Sequence, residues 1–197
     1  MKRLCEFLFA TLAGLFVLTD SASAILLDAL DVSREWRVDR IEFSGNKVLT
    51  ADELSDAIAT KTRPWYRFWE DRPVFDPVSF GSDLERLQRF YESRGYYGTT
   101  VTYDLTVDND RGLITAQIEV REGPPVLISD IDVEVATTAA DKKEPPFPKE
   151  LPVKRGEIFR EAEYQQAEQL LRGVFLENGY AHVKTERKAE VDLDQRR

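Results

Sequence analysis

The sequence of 197 residues contains one cysteine and one histidine. These counts exclude a disulfide framework within the chain, a multi-histidine metal centre and a cysteine-rich zinc site. Basic residues are also few. The chain has 27 lysines and arginines but 36 aspartates and glutamates, so its net charge is −9. An acidic chain lacks the positive surface with which proteins bind nucleic acid. We therefore expect no metal, no nucleic acid partner and little of the chemistry that enzymes use.

Long apolar runs are scarce as well. Residues 7–18 form an uncharged apolar run that is too short for a membrane-spanning helix, which needs roughly 20 residues. A basic start precedes this run and the cleavage pattern Ala22-Ser23-Ala24 follows it. These features are typical of a cleavable secretory signal peptide, so we predict a signal peptide over residues 1–24 and a mature chain that starts at Ile25. The alternative is a buried N-terminal helix.

Two copies of one pattern follow. The dipeptides Gly95-Tyr96 and Gly179-Tyr180 lie 84 residues apart, and other apolar positions match at the same offset. Residues 40–43 resemble residues 130–133 at an offset of 90, so the second copy is shorter between its first strand and its long helix. The pattern therefore predicts a tandem repeat. The pairs that match at the offset of 84 include Leu87 with Leu171, Tyr91 with Phe175 and Val107 with Val191.

Each copy is predicted to be a β-α-α-β-β unit. In the first copy, a strand near residues 38–43 precedes a short helix whose Thr50 and Glu53 form a capping box. Asp76 and the proline after it begin a second helix with one apolar stripe, and Gly95 ends it. Alternating residues then indicate a hairpin up to the break at residues 122–125.

The domain boundaries follow from this pattern. We predict an N-terminal linker over residues 25–35, a first domain over 36–125 and a second domain over 126–197. In the second domain, prolines between residues 137 and 152 disfavour the first helix, whereas a capped helix is expected over 161–178. Residues 131–135 and 181–193 are predicted strands. The offset places the last residue before the third strand, so we expect the second unit to be truncated, to lack its last strand and to be less stable than the first.

The order of these motifs resembles the polypeptide-transport-associated (POTRA) repeats of bacterial outer-membrane barrel assembly and translocation proteins, of the BamA and TamA kind. The resemblance rests on residues 41–46 (IEFSGN), the two Gly-Tyr pairs and residues 120–124 (VREGP). Residues 151–156 make it closer to the TamA branch. It implies an α+β fold of tandem units, each with a three-stranded mixed sheet and two helices.

The resemblance also implies a function. Such units are not enzymes and need no cofactor. They bind unfolded outer-membrane protein clients and periplasmic or barrel partner proteins in the periplasm, associated with the outer membrane. The membrane is reached only through a downstream barrel, which we do not find in this sequence. Two alternatives are a structural or division-type POTRA scaffold and the POTRA region of a two-partner secretion transporter.

We predict two binding surfaces. In the resembled fold the first hairpin strand, about residues 97–107, lies at the sheet edge, where an extended client can add as a further strand. Thr100, Thr102 and Asp104 would then flank the client, and we expect proline at Thr102 to block its binding. The second surface is the aromatic connection between the two helices, which either contacts a partner or folds back as a lid on the core. Its members are Trp65, Tyr66, Phe68 and Trp69.

Overall fold

The computed structural model describes residues 27–31, 33–136, 147–180, 182–193 and 195. The predicted signal peptide and the centre of the proline-rich stretch lie outside these residues. Within them, none of the helices combines the length and apolarity that crossing a bilayer requires.

A three-stranded mixed sheet and two helices form the first unit, as predicted. The strands are β1 (Arg37–Ser44), β2 (Thr100–Asp108) and β3 (Leu113–Arg121), and the helices are α1 (Ala51–Ala57), α2 (Pro77–Glu92) and, in the second unit, α3 (Glu161–Glu177). Their order across the sheet is β1-β3-β2. The central strand β3 is parallel to β1 and antiparallel to β2. The predicted α+β class and the edge position of the first hairpin strand are therefore confirmed.

Local signals in the sequence begin both helices of the first unit. The Thr50 hydroxyl accepts from the Glu53 backbone N–H, and the Glu53 carboxylate accepts from the Thr50 backbone N–H at 2.9 Å. The Asp76 carboxylate accepts from the backbone N–H groups of Val78 and Ser79 at the start of α2. These bonds satisfy N–H groups that have no partner within the helix. The predicted capping box and the predicted α2 start are confirmed.

The core lies between the two helices and one face of the sheet. Buried side chains of α2 meet buried side chains of the strands, and each contributes about 2 kcal/mol by leaving water. The segment before β1 also contributes, because Leu30 is buried in the same cluster. Part of the stretch predicted to be a linker therefore packs on the first unit. The buried side chains of α2 and the strands include Phe80, Leu87, Tyr91, Val38, Leu105, Ile114, Ile118 and Val120.

Two carboxylates join elements that are far apart in sequence. Asp83 on α2 is fully buried and accepts from the backbone N–H groups of Ala59 and Thr60, at 2.8 Å each, and from the Thr60 hydroxyl. Burial opposes its ionisation, but these bonds and Arg86 outweigh burial and hold the pKa of Asp83 below its ordinary value. The Asp83 carboxylate therefore fixes the turn after α1 against α2.

Glu122, just after β3, plays the corresponding role at the other end of the unit. Its Oε1 accepts from the backbone N–H groups of Lys47 and Val48, at 2.9 Å each, and from the Tyr91 hydroxyl at 3.0 Å. Burial and this bond raise the pKa of Tyr91 above its ordinary value. The turn after β1, the end of β3 and α2 are thus held together.

The second unit repeats backbone hydrogen bonds of the first at the predicted offsets. In the first unit, Val38 N–H donates to the Pro73 carbonyl and Phe75 N–H to the Trp36 carbonyl. In the second, Ile128 N–H donates to the Glu157 carbonyl and Phe159 N–H to the Val126 carbonyl. From the first unit to the second, Trp36 and Val38 are shifted by 90 residues, and Pro73 and Phe75 are shifted by 84. Both units also end their long helix at a glycine with φ of +90°, Gly95 and Gly179. The predicted offsets are therefore confirmed at these contacts, and the boundaries of a second domain stay a prediction.

The predicted strands of the second unit are wrong for the residues that the structure describes. Residues 131–136 and 182–193 form no strand there. In the first unit, β1 and β2 both pair with β3, and no described residue after α3 takes the place of β3. Without that central strand the two segments have no ladder partner. They border, with α3, an open cavity of about 570 Å³.

The start of α3 differs from the prediction that the helix carries its own caps, whereas its end at Gly179 agrees with it. Arg160 at its N-cap makes no capping bond with its side chain. The first unit supplies an acceptor instead, because the Glu161 N–H donates to the Ser93 carbonyl at 2.9 Å, and the Val126 N–H donates to the Gly95 carbonyl at 2.8 Å. The end of α2 is therefore the junction between the two units.

Candidate binding edge and aromatic loop

The sheet of the first unit has two outer edges, and they differ in how far they are covered. The start of β1 is covered by residues 73–75, because Val38 N–H donates to the Pro73 carbonyl at 2.8 Å and Phe75 N–H donates to the Trp36 carbonyl at 2.7 Å. Along β2, the described residues form no strand on the outer side. The β2 edge is therefore the one that offers a long row of open backbone groups.

The register shows which backbone groups of β2 point outward. The Arg37 N–H donates to the Gly112 carbonyl at 3.0 Å, so the backbone groups of Gly112 point towards β1. Successive residues of a strand alternate, and the odd-numbered residues of β3 therefore point towards β2. Glu119 is paired with Thr102, and its carbonyl lies 3.5 Å from the Thr102 hydroxyl, as this alternation requires. The N–H and C=O groups that point to the open side are those of Val101, Tyr103, Leu105 and Val107.

The side chains of the three predicted edge residues lie where the sequence predicted, but their backbone groups do not point to the open edge. Thr100, Thr102 and Asp104 have exposed side chains on the solvent face of the sheet, where they would flank an added strand. Their backbone groups, however, pair with β3. Proline at Thr102 would remove a bond between β2 and β3 and would damage the sheet itself, so that expected test of binding is wrong. The sequence analysis missed the direction of the backbone groups, because it depends on the register of β2 with β3 and on the pairing of β3 with β1.

The aromatic connection does not cover the core. Trp65, Tyr66, Phe68 and Trp69 are all exposed, and the first two belong to a 3-10 turn, Trp65–Arg67. The interpretation of these residues as a lid is therefore wrong. The neighbouring Phe75 is buried and fills the core together with Phe80, at a ring distance of 5.3 Å. Because this place is taken, the aromatic side chains before it stay outside.

His182 has an exposed side chain outside any strand. Among the described residues, no three side chains of the His, Cys, Asp or Glu type are placed to hold a metal ion. The strongest polar clusters, around Asp83 and Glu122, are bonded to backbone N–H groups and serve the fold.

The fold defines a class of protein. It is a two-layer α+β unit with helices on one face of the sheet and an open antiparallel edge strand. Residues 36–123 match the family model described as POTRA, surface antigen variable number repeat. The first unit of this chain is therefore similar to POTRA domains over residues 36–123. The closer resemblance to the TamA branch stays a prediction.

Similar proteins have been named in two bacteria. The chain is 26% identical over 167 residues to a putative outer membrane protein assembly factor of Treponema pallidum, covering 82% of this chain and 19% of that protein. It is 23% identical over 116 residues to the outer membrane protein assembly factor BamA of Neisseria meningitidis, covering 58% and 15%. The chain thus spans less than a fifth of the length of these relatives. A crystal structure of Haemophilus influenzae BamA POTRA3-5 matches with 16% identity and a TM-score of 0.43, covering 71% of this chain and 54% of that one.

Proposed function

We propose that the first unit is a non-enzymatic protein-binding module of a periplasmic, outer-membrane-associated assembly or translocation factor. It receives extended segments of client chains, or of partner proteins, as a further strand on the outer edge of β2. The names of the two relatives support the setting. The observation that carries the mechanism is the outward row of N–H and C=O groups on four alternate residues of β2.

The magnitudes suit a receiver of many different chains. Each outward residue can exchange two backbone hydrogen bonds with an added strand, and each bond contributes about 1 kcal/mol net. Ordering the client backbone costs about 1–2 kcal/mol per residue. The two terms nearly cancel, so the backbone alone holds a client weakly and without regard to its sequence. Contacts with the side chains of Thr100, Thr102 and Asp104 then decide which segments stay longer.

The test uses proline where the N–H points outward. Val101→Pro removes an open donor at the edge of β2 and leaves the bonds to β3 in place. Val101→Ala is the matched control, because it removes most of the same half-buried side chain and keeps the N–H. We measure photo-crosslinking to a soluble peptide of alternating polar and apolar residues, with urea unfolding to verify that both variants fold.

We expect the proline variant to lose most of the crosslinking and the alanine variant to keep it. Equal crosslinking of two folded variants would show that clients do not use the β2 edge.

A further inference from the structure

The aromatic loop, residues 63–72, leaves an unusual amount of apolar surface in water. The exposed fraction is 88% for Trp65, 73% for Phe68, 69% for Trp69 and 53% for Tyr66. The rings form two edge-to-face pairs, with centroids 5.9 Å apart for Trp65 and Tyr66 and 5.1 Å apart for Phe68 and Trp69. A contiguous exposed apolar patch marks a surface that a partner covers.

Hydrogen bonds within the loop hold its backbone. Arg63 Nη1 donates to the carbonyl oxygens of Phe68 at 2.9 Å and Glu70 at 2.7 Å. The Arg67 N–H donates to the Pro64 carbonyl at 3.0 Å, which closes the 3-10 turn. The aromatic side chains are therefore exposed on a loop whose backbone is held by hydrogen bonds.

The charge around the loop differs in sign from that of the chain. Residues 61–72 carry four basic and two acidic side chains, whereas the whole chain has a net charge of −9. Lys61 and Arg63 donate to backbone carbonyls. Because these acceptors are neutral, the bonds do not cancel the positive charge of the two side chains. Arg67 and Arg72 contact carboxylates. The segment that carries the aromatic side chains thus has a local excess of positive charge.

These features match the interfacial layer of a lipid bilayer. Tryptophan and tyrosine favour the level of the headgroups, because their rings are apolar and their N–H or O–H groups stay hydrated. Arginine and lysine beside them reach anionic headgroups. Two exposed ring pairs suit a deformable layer better than a single pocket. We propose that the aromatic loop docks the first unit on the surface of an anionic bilayer, independently of strand addition at β2 and in contrast to the expectation that the membrane is reached only through a downstream barrel.

Vesicle binding tests this proposal on the chain that starts at Ile25, since residues 1–24 are predicted to be a signal peptide that would itself bind lipid. We measure co-sedimentation with phosphatidylcholine vesicles that contain phosphatidylglycerol. We expect binding that high salt weakens. We expect Trp65→Ala combined with Trp69→Ala to lower the partition coefficient by about tenfold or more, because two large apolar side chains are lost. Leu176→Ala, at an exposed leucine of α3, is the control that should bind as the parent chain does.

A second readout uses the parent chain alone. Brominated lipids quench tryptophans that touch the acyl chains, so we expect Trp65 and Trp69 to be quenched and the buried Trp36, which is 4% exposed, to keep its emission. Failure to bind anionic vesicles, or equal binding by the parent and the doubly substituted chain, would overturn the proposal. The proposal would also be overturned if the parent chain did not bind vesicles and the doubly substituted chain lost peptide crosslinking in solution, because the loop would then bind protein.

Discussion

A methyl group at Gly95 should loosen the junction between the two units. Gly95 has φ of +90°, and a Cβ there would lie 2.4 Å from the Phe159 carbonyl oxygen and 2.7 Å from Ile158 Cγ2. Gly179 has the same φ at the equivalent helix end, and a Cβ there would meet nothing within 4 Å. Both Gly95→Ala and Gly179→Ala therefore force a non-glycine residue into the left-handed conformation. Only Gly95→Ala also creates a close contact with the neighbouring unit.

The difference between the two variants can be estimated. The left-handed conformation costs a non-glycine residue about 1–2 kcal/mol at either position. At Gly95, the Phe159 carbonyl must also move away by about 1 Å to reach ordinary contact. That movement strains the two hydrogen bonds of the junction, from Val126 N–H and Glu161 N–H, which contribute roughly 1 kcal/mol each. We therefore expect the free energy of opening the junction to be about 2 kcal/mol lower in Gly95→Ala than in Gly179→Ala.

Amide hydrogen exchange measures this excess where it arises. A decrease of about 2 kcal/mol in the free energy of opening corresponds to roughly 30-fold faster exchange, since 1.4 kcal/mol is a factor of ten. We expect this acceleration at Val126 and Glu161 in Gly95→Ala relative to Gly179→Ala. The Val38 amide, bonded within the first unit, is the internal reference. Equal exchange at the junction in both variants would refute the packing of the second unit against Gly95.

Two further predictions concern the buried carboxylate and the start of the mature chain. Asp83→Asn should lower the free energy of unfolding by about 2–3 kcal/mol at pH 7, because a buried charged acceptor of several bonds is lost. Folding lowers the pKa of Asp83, so its contribution is fully present above the ordinary value of 3.8 and is lost as the pH falls through the folded value. Urea unfolding should therefore show a smaller difference at pH 3, and an undiminished difference would contradict this assignment. N-terminal sequencing of the exported protein should begin at Ile25, and retention of Met1 would contradict the predicted cleavage.

Most of the first unit could be predicted because its signals are local. Thr50 and Glu53 lie within one turn of the helix that they cap, and Asp76 precedes a proline at the start of α2. Alternation within β2 and β3 indicates which side chains face the core. These patterns arise from neighbouring residues, so a single sequence suffices to interpret them.

What the sequence analysis missed depends on contacts between distant residues. A strand needs a neighbouring strand, and residues 182–193 have the alternation of a strand without the partner. The acceptor for the first N–H of α3 is the Ser93 carbonyl, 68 positions earlier. Asp83 lies on the buried stripe of α2 between Phe80 and Leu87. Its hydrogen-bond partners lie in the turn after α1, which reaches Asp83 only when that turn packs against α2.

The candidate site shows the same division. The sequence placed Thr100, Thr102 and Asp104 on the solvent face, and their exposure agrees with that placement. The direction of their backbone groups follows from the register with β3, which depends on the closed hairpin and on the pairing of β3 with β1. Aromatic side chains usually indicate burial, but the core beside the aromatic loop is already occupied by Phe75 and Phe80.

The most direct test of strand addition is residue-by-residue amide exchange along β2, with and without a client peptide. In the free protein, we expect slow exchange at Thr102 and Asp104, whose N–H groups pair with β3, and fast exchange at Val101 and Tyr103, whose N–H groups point to the open edge. A bound strand should slow the second pair and leave the first unchanged. Protection that does not alternate along β2, or saturating peptide that leaves Val101 and Tyr103 in fast exchange, would contradict binding at this edge.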